Sequence, residues 1–187
     1  MAFKNALSYA KELLVNVIKP GDIVVDATAG NGHDTLFLAK LVGEAGHVFA
    51  FDVQAEAIKS TEERLKQADL FPRTTIILDS HANVSTYLQD EITAAIFNLG
   101  YLPGSNHDII TQGNSTIKAI ESLLDLLKVG GIIILVVYHG HPGGREEKVA
   151  LLDYVGQLTP SYLEVLSYQF LNQQNDPPFV IAIEKKK

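Results

Sequence analysis

Histidines, carboxylates and paired glycines gather in a few short runs of this chain. The first, residues 26–34, reads Asp-Ala-Thr-Ala-Gly-Asn-Gly-His-Asp. Gly30 and Gly32 let the backbone turn sharply and approach a ligand closely, because no Cβ intervenes. A dinucleotide fingerprint would carry a third glycine at position 35, where this chain has Thr35. A pyrophosphate site is therefore disfavoured. An acid, Asp26, ahead of spaced glycines suits a ligand with a positive centre, such as a sulfonium bearing an α-amino group. The plainer alternative is a tight strand-to-helix turn, with Asp34 as a helix N-terminal charge.

The second run holds Asp52, 22 residues beyond Gly30, with Gln54 beside it. In dinucleotide folds an acid about 20 residues past the glycines accepts from ribose hydroxyls; a helix cap is the competing role. The third run, Asp79-Ser80-His81, offers groups for the exocyclic amine of an adenine, or simply a turn. The fourth, residues 98–107, sets an amide (Asn98) and an aromatic ring (Tyr101) among turn residues. Methyl transfer to amino groups uses such a pair, the amide holding the amine while the ring stacks on a base, though the adjacent prolines common there are missing. The fifth, residues 138–145, packs three glycines and two histidines, His139 and His141, into one loop, more than packing alone asks of it. Two histidines at i, i+2 suggest a metal pair, but no cysteine and no clearly paired acid accompany them, so no metal is expected. Five of the six histidines fall in these runs, an arrangement suited to groups that titrate near neutral pH. His47 stands outside and reads as surface.

Each run follows a segment with strand character. Apolar spacing predicts a helix over residues 3–19, on a stripe of Phe3, Leu7, Leu14 and Ile18 flanked by Ala6, Ala10 and Leu13. Strands are expected at 23–25, 48–53, 74–78, 94–97, 132–137, 162–170 and 179–183. Further helices are expected at 35–41, 56–67, 115–127 (stopped by Gly130-Gly131) and 146–155. Alternating strands and helices predict a parallel sheet with helices on both faces. Residues 171–178 are too few for a crossover helix, so the last two strands should form an antiparallel hairpin. The expectation is one α/β domain over 1–187: a Rossmann-like, seven-stranded, mostly parallel sheet whose ligands lie beyond the strands' carboxyl ends.

Composition narrows the choice. With no cysteine among 187 residues, disulfides, thiolate zinc sites and cysteine nucleophiles are excluded. No apolar run reaches membrane-span length and the N-terminus lacks a signal-peptide pattern, so a cytoplasmic protein with no membrane partner is expected. The net charge of -7 means that a polyanion would have to be met by a local patch rather than an overall field. Dimerisation would widen such a patch, but no motif specifies it.

The runs at 26–35, 97–104 and 138–144, with the terminal Asn175-Asp-Pro-Pro-Phe179, resemble the small bacterial class I methyltransferases long labelled rRNA methylases. The resemblance extends over essentially the whole chain and implies S-adenosyl-L-methionine (SAM) as cofactor. Members of that family are assigned to tRNA, where they methylate the amino group of 5-aminomethyl-2-thiouridine at the wobble position of the anticodon loop. By resemblance, Gly30, Asn31, Gly32 and Asp34 meet the methionine end of SAM. Asp52 and Gln54 hold the ribose, and Asp79, Ser80 and His81 flank the adenine. Residues 98–104 and 139–144 line the substrate: Asn98 orients the amine, Tyr101 stacks on the base, and His139 or His141 takes the proton. The competing readings are an rRNA methyltransferase, a nicotinamide-dependent oxidoreductase, and an RNA protein that binds the cofactor without catalysis.

Overall fold

The computed structural model describes residues 2–100 and 113–187. Seven strands form one sheet in the order β3-β2-β1-β4-β5-β7-β6. They are β1 (Ile23–Asp26), β2 (His47–Asp52), β3 (Thr74–Leu78), β4 (Ile92–Leu99), β5 (Leu127–Val137), β6 (Leu163–Tyr168) and β7 (Phe179–Lys185). The first five pair in parallel; β7 runs antiparallel to β5 and β6, as the short 171–178 connection requires. The chain turns from one half of the sheet to the other between β1 and β4. That switch point opens a crevice at the strands' carboxyl ends.

Alternate residues of the strands face two separate cores. Val24, Val48, Ile134, Val136 and Ala182 pack under α1 (Ala6–Val17) and α2 (His33–Val42), joined by Leu65 of α3 (Ala55–Gln67). Val25, Phe97, Leu135, Val137 and Ile181 pack under α5 (Gly113–Leu126) and α6 (Gly144–Val155), with the short α4 (Val84–Tyr87) beside them. Central strands buried on both faces explain the unbroken apolar run at 132–137.

Several boundaries differ from expectation for identifiable reasons. Helix α1 begins at Ala6 because Asn5 caps it, its Oδ1 accepting from Ser8 N at 2.8 Å; Phe3 is 73% exposed, and the buried stripe is Ala6, Ala10 and Leu14. Gly130-Gly131 lies inside β5 rather than ending a helix. There the register with β4 slips between Ile92 and Ala94, Gly130 takes φ +77°, and a Cβ on Gly131 would sit 2.8 Å from Thr93 O. Strand β4 continues two residues past Phe97, so Asn98 lies on the strand and not in the loop after it. The helical turns over 81–87 carry no periodicity long enough to announce them. His47 is the first residue of β2, half-buried, with Nε2 2.8 Å from Thr75 Oγ1.

Candidate active site

The loop after β1 is anchored from inside. Asp26 is fully buried; its Oδ1 accepts from Thr28 N (3.1 Å) and its Oδ2 from Thr35 Oγ1 (2.6 Å). Thr35, standing where a dinucleotide fold has glycine, thus ties the loop to α2. Burial, reinforced by the nearby charge of Asp34, pushes the Asp26 carboxyl up to about 7. The structure gives Asp26 the loop to hold, not a surface to offer a ligand.

Helix α3 braces the same loop from behind. Thr61 Oγ1 donates to Gly30 O at 3.0 Å, and Arg64 Nε to Asn31 O at 2.6 Å. Gly32, the N-cap of α2, sits at φ +76°, and a Cβ there would lie 2.8 Å from Thr61 Cα. Only glycine fits both the dihedral and the gap. Asp52 closes the turn: Oδ2 accepts from Gly30 N (2.9 Å) and Oδ1 from Gln54 N (3.0 Å) at the start of α3. Asp52 therefore braces the turns on both sides of β2 rather than capping α3, whose N-cap is Gln54, and a carboxylate with about four lone-pair sites keeps capacity for ribose hydroxyls.

Beyond β3, Asp79 is bound into its own turn, accepting from Ser80 N, Asn83 Nδ2 and Tyr87 Oη. These bonds, Tyr87 foremost among them, hold its carboxyl below the usual range even against burial. Ser80 Oγ accepts from Ala82 N. His81 is buried edge-on to Phe97, with Nδ1 2.9 Å from Ala27 O. A carbonyl only accepts, so Nδ1 carries the proton and Nε2 presents a lone pair. Nε2 is buried and has no partner among the described residues. Burial pushes the ring's pKa down, so it is neutral at pH 7.

The opposite side of the crevice is built around Asn98. Its backbone N–H donates to Thr28 Oγ1 (2.7 Å), and its Nδ2 donates to Asp34 Oδ2 (3.2 Å). Asp34 Oδ1 in turn meets Lys11 Nζ of α1 at 3.2 Å. The bond to Asp34 uses one of the two Nδ2 donors and fixes the amide plane, and Asn98 Oδ1 is the acceptor it can present to a substrate. Tyr138, at the end of β5, half-exposed, packs over Gly100; burial and the charge of Asp34 raise its hydroxyl pKa. Neither Lys11 nor Tyr138 was expected here. Lys11 lies 23 residues from Asp34 with no motif to mark it, while Tyr138 opens the fifth run but is overshadowed there by the histidines. Tyr101 falls outside the described residues, as do the rest of 101–104 and His107.

The histidines do not form one cluster. His33 is exposed at the start of α2, and His81 belongs to the β3 side. His139 is buried against Phe179, with Lys148 Nζ 3.4 Å from its Nε2; burial first, then Lys148, holds its pKa down. His141 lies beside Glu147, its Nδ1 3.0 Å from Pro142 O. Glu147 is another residue the sequence reading passed over. It is buried in the first turn of α6, it accepts from Thr116 Oγ1 at 3.4 Å, and burial pushes it up to about 7. Among the described residues no group of three histidine or carboxylate side chains could hold a metal ion.

The crevice suits SAM on features of its own. Turned backbone at Gly30 and Gly32, the free N-terminus of α2, a carboxylate at the end of β2 and the orphaned acceptor His81 Nε2 lie along the ends of β1, β2 and β3. Fold and crevice together define a class I SAM-dependent methyltransferase. Residues 48–184 match the family model described as "Putative rRNA methylase", and the chain belongs to that family. A curated relative, the chloroplastic tRNA (mnm(5)s(2)U34)-methyltransferase of Arabidopsis thaliana, is 37% identical over 98% of this chain and 70% of its own length. A Clostridium thermocellum crystal structure with the same family designation superposes with a TM-score of 0.97, at 43% identity, over 99% of this chain and 100% of that one. A Streptococcus mutans "putative methyltransferase", crystallised in complex with SAH, gives 0.91 at 41% identity over 98% and 99% of the two chains.

Proposed function

We propose that this chain methylates the amino group of 5-aminomethyl-2-thiouridine at the wobble position of tRNA, giving 5-methylaminomethyl-2-thiouridine. The observation that carries the reading is the fixed amide of Asn98. One N–H of its Nδ2 is given to Asp34, which fixes the amide plane, so that its Oδ1 accepts one N–H of a neutral primary amine and aims the nitrogen lone pair. The name of the Arabidopsis relative supports the choice of RNA and position.

In this reading Gly30, Asn31, Gly32 and Asp34 hold the methionine end of SAM, Asp52 and Gln54 the ribose, and Asp79, Ser80 and His81 the adenine side, with Asp26 anchoring the loop. Bound SAM supplies an electrophilic methyl carbon on a sulfonium. Alignment of two reactants is then most of what the protein must provide, and positioning of this sort is worth several kcal/mol. Lys11 fixes Asp34, Asp34 fixes Asn98, and Asn98 fixes the amine. Tyr138 walls the substrate side and Tyr101 stacks on the base. His139 lines a neighbouring cavity, which leaves His141 as the proton acceptor, directly or through water. A single anticodon-loop base is readable by a pocket and stacking, which fits an acidic chain; the protein acts where tRNA is, in the cytoplasm. No helix among the described residues is long and apolar enough to cross a membrane.

The test is methyl transfer from labelled SAM to bulk tRNA lacking the final methyl group, followed by nucleoside analysis. Label in 5-methylaminomethyl-2-thiouridine is the expected result. The family description favours one other substrate, rRNA, and label found only in rRNA would replace the tRNA reading. Cofactor binding with label in neither RNA would move the assignment to a binding-only protein.

A further inference from the structure

A cavity of about 240 Å³ lies beside the site, where the connection between β6 and β7 faces the end of β5 and helix α6. His139 forms part of its wall and is 6% exposed. Lysine only donates, so the Lys148 contact makes His139 Nε2 the acceptor and leaves the proton on Nδ1. That buried donor has no hydrogen-bond partner. The nearest carboxylate oxygen, Asp176 Oδ1, stands 3.7 Å away, beyond hydrogen-bond reach.

The motif at 175–179 converges on the same space. Asn175 and Asp176 line the cavity at φ +66° and +48°, a turn conformation that Asn and Asp adopt more readily than other side-chain-bearing residues. Gln169 and Gln173 add two amides, each both donor and acceptor, and Phe170 adds a half-buried ring. Two cations border the cavity: Arg145 is engaged with Asp176 at 3.3 Å, while Lys148 in the wall meets His139 Nε2 at 3.4 Å and lies 5.1 Å over the Phe179 ring. One ammonium can meet a backbone phosphate, but the Asp176 carboxylate, the amide donors and acceptors, the unmatched N–H and the aromatic faces suit a planar heterocycle rather than a phosphate alone.

We infer that this cavity receives an unpaired nucleobase of the RNA substrate, one adjacent in the loop to the nucleotide being methylated. His139 directly follows Tyr138, the wall of the methyl-transfer site, so the cavity adjoins that site along the chain. The inference rests on the RNA reading given above. It adds a second recognition point, separate from the reacting uridine, with His139 Nδ1 and the amides of Gln173 and Asn175 as its specificity-determining groups.

The test compares the wild type with Gln173→Ala/Asn175→Gly, which removes both amides from exposed loop positions and keeps the positive φ at 175 accessible. Binding of anticodon-arm hairpins, each with one abasic loop position, is measured by fluorescence anisotropy with SAH present, alongside steady-state methylation of tRNA. One abasic position should weaken wild-type binding by roughly tenfold, in line with losing one stacked base. The double variant should show the same loss on the intact hairpin and no further loss at that position. KM for tRNA should rise with kcat and SAM affinity unchanged. Equal abasic penalties in both proteins at every position would overturn the cavity's role while leaving tRNA methylation standing. A wild type that neither binds the hairpin nor methylates tRNA would overturn the RNA reading itself, and this inference with it.

Discussion

The two halves of the crevice are finished to different degrees. On the β1–β3 side, Asp26, Asp52 and Asp79 each have two or more donors supplied by the chain itself, and the glycine loop is bonded to α3 at three points. Among the buried side-chain atoms described there, only His81 Nε2 lacks a partner. On the β4–β5 side, His139 Nδ1 and Glu147 Oε2 are buried without partners among the described residues, and the Asn98 side chain is held through its Nδ2 alone. Buried polar groups without partners are costly. The β1–β3 half is thus prebuilt by its own bonds, whereas the described residues of the other half leave buried atoms unmatched.

The largest effect should come from breaking the prebuilt half. Gly32→Ala places a Cβ 2.8 Å from Thr61 Cα in a left-handed conformation. Stability should fall by about 2–4 kcal/mol and SAM binding should be lost, checked by thermal melts and calorimetry. Asn98→Ala tests the other half. Turnover should drop about 10²-fold with SAM affinity nearly unchanged; equal losses in both would remove its proposed role. Asp52→Asn keeps the fold and should weaken SAM binding by about tenfold, since one charge-assisted bond is exchanged for a neutral one.

The smallest effect is on stability against pH. Asp26 and Glu147 have folded pKa values of about 7, raised from 3.8 and 4.5. Between those limits the folded chain keeps protons that the unfolded chain gives up. The share of stability owed to these two carboxyls is therefore full below about 4, falls as pH rises towards about 7, and is flat above. Glu147→Gln should flatten its share of that fall, leaving the variant a few degrees more stable than the parent at pH 8 in melting curves. A variant that melts below the parent at pH 8 would show that the attraction between Glu147 and His141 outweighs the cost of its burial.

What the sequence disclosed follows the same division. Glycine spacing and a leading acid are local signals, so the turn at 26–34 and the acid at 52 could be read directly, even though Asp26 proved to be an anchor. Alternation of strands and helices implied the parallel sheet, and the short 171–178 connection its antiparallel hairpin, but not the order of the strands. The link from Lys11 through Asp34 to Asn98 spans residues 11 to 98 and leaves no periodic trace. Histidine spacing misled in the opposite sense: five residues of one type at the carboxyl edge suggested one titrating face, but burial separates His81 from His139 and holds both below their ordinary pKa. Gly130-Gly131 misled because the same pair serves a helix stop and a bulged strand equally well.

Helix α1 carries Lys11 to the site, yet its buried face, Ala6, Ala10 and Leu14, rests on β5 and β7. Strand β7 inserts between β5 and β6. Lys11 therefore keeps its place beside Asp34 only while α1 stays seated on two strands that lie far along the chain. Loosening β7 would shift a charge in the crevice without touching any residue that lines it.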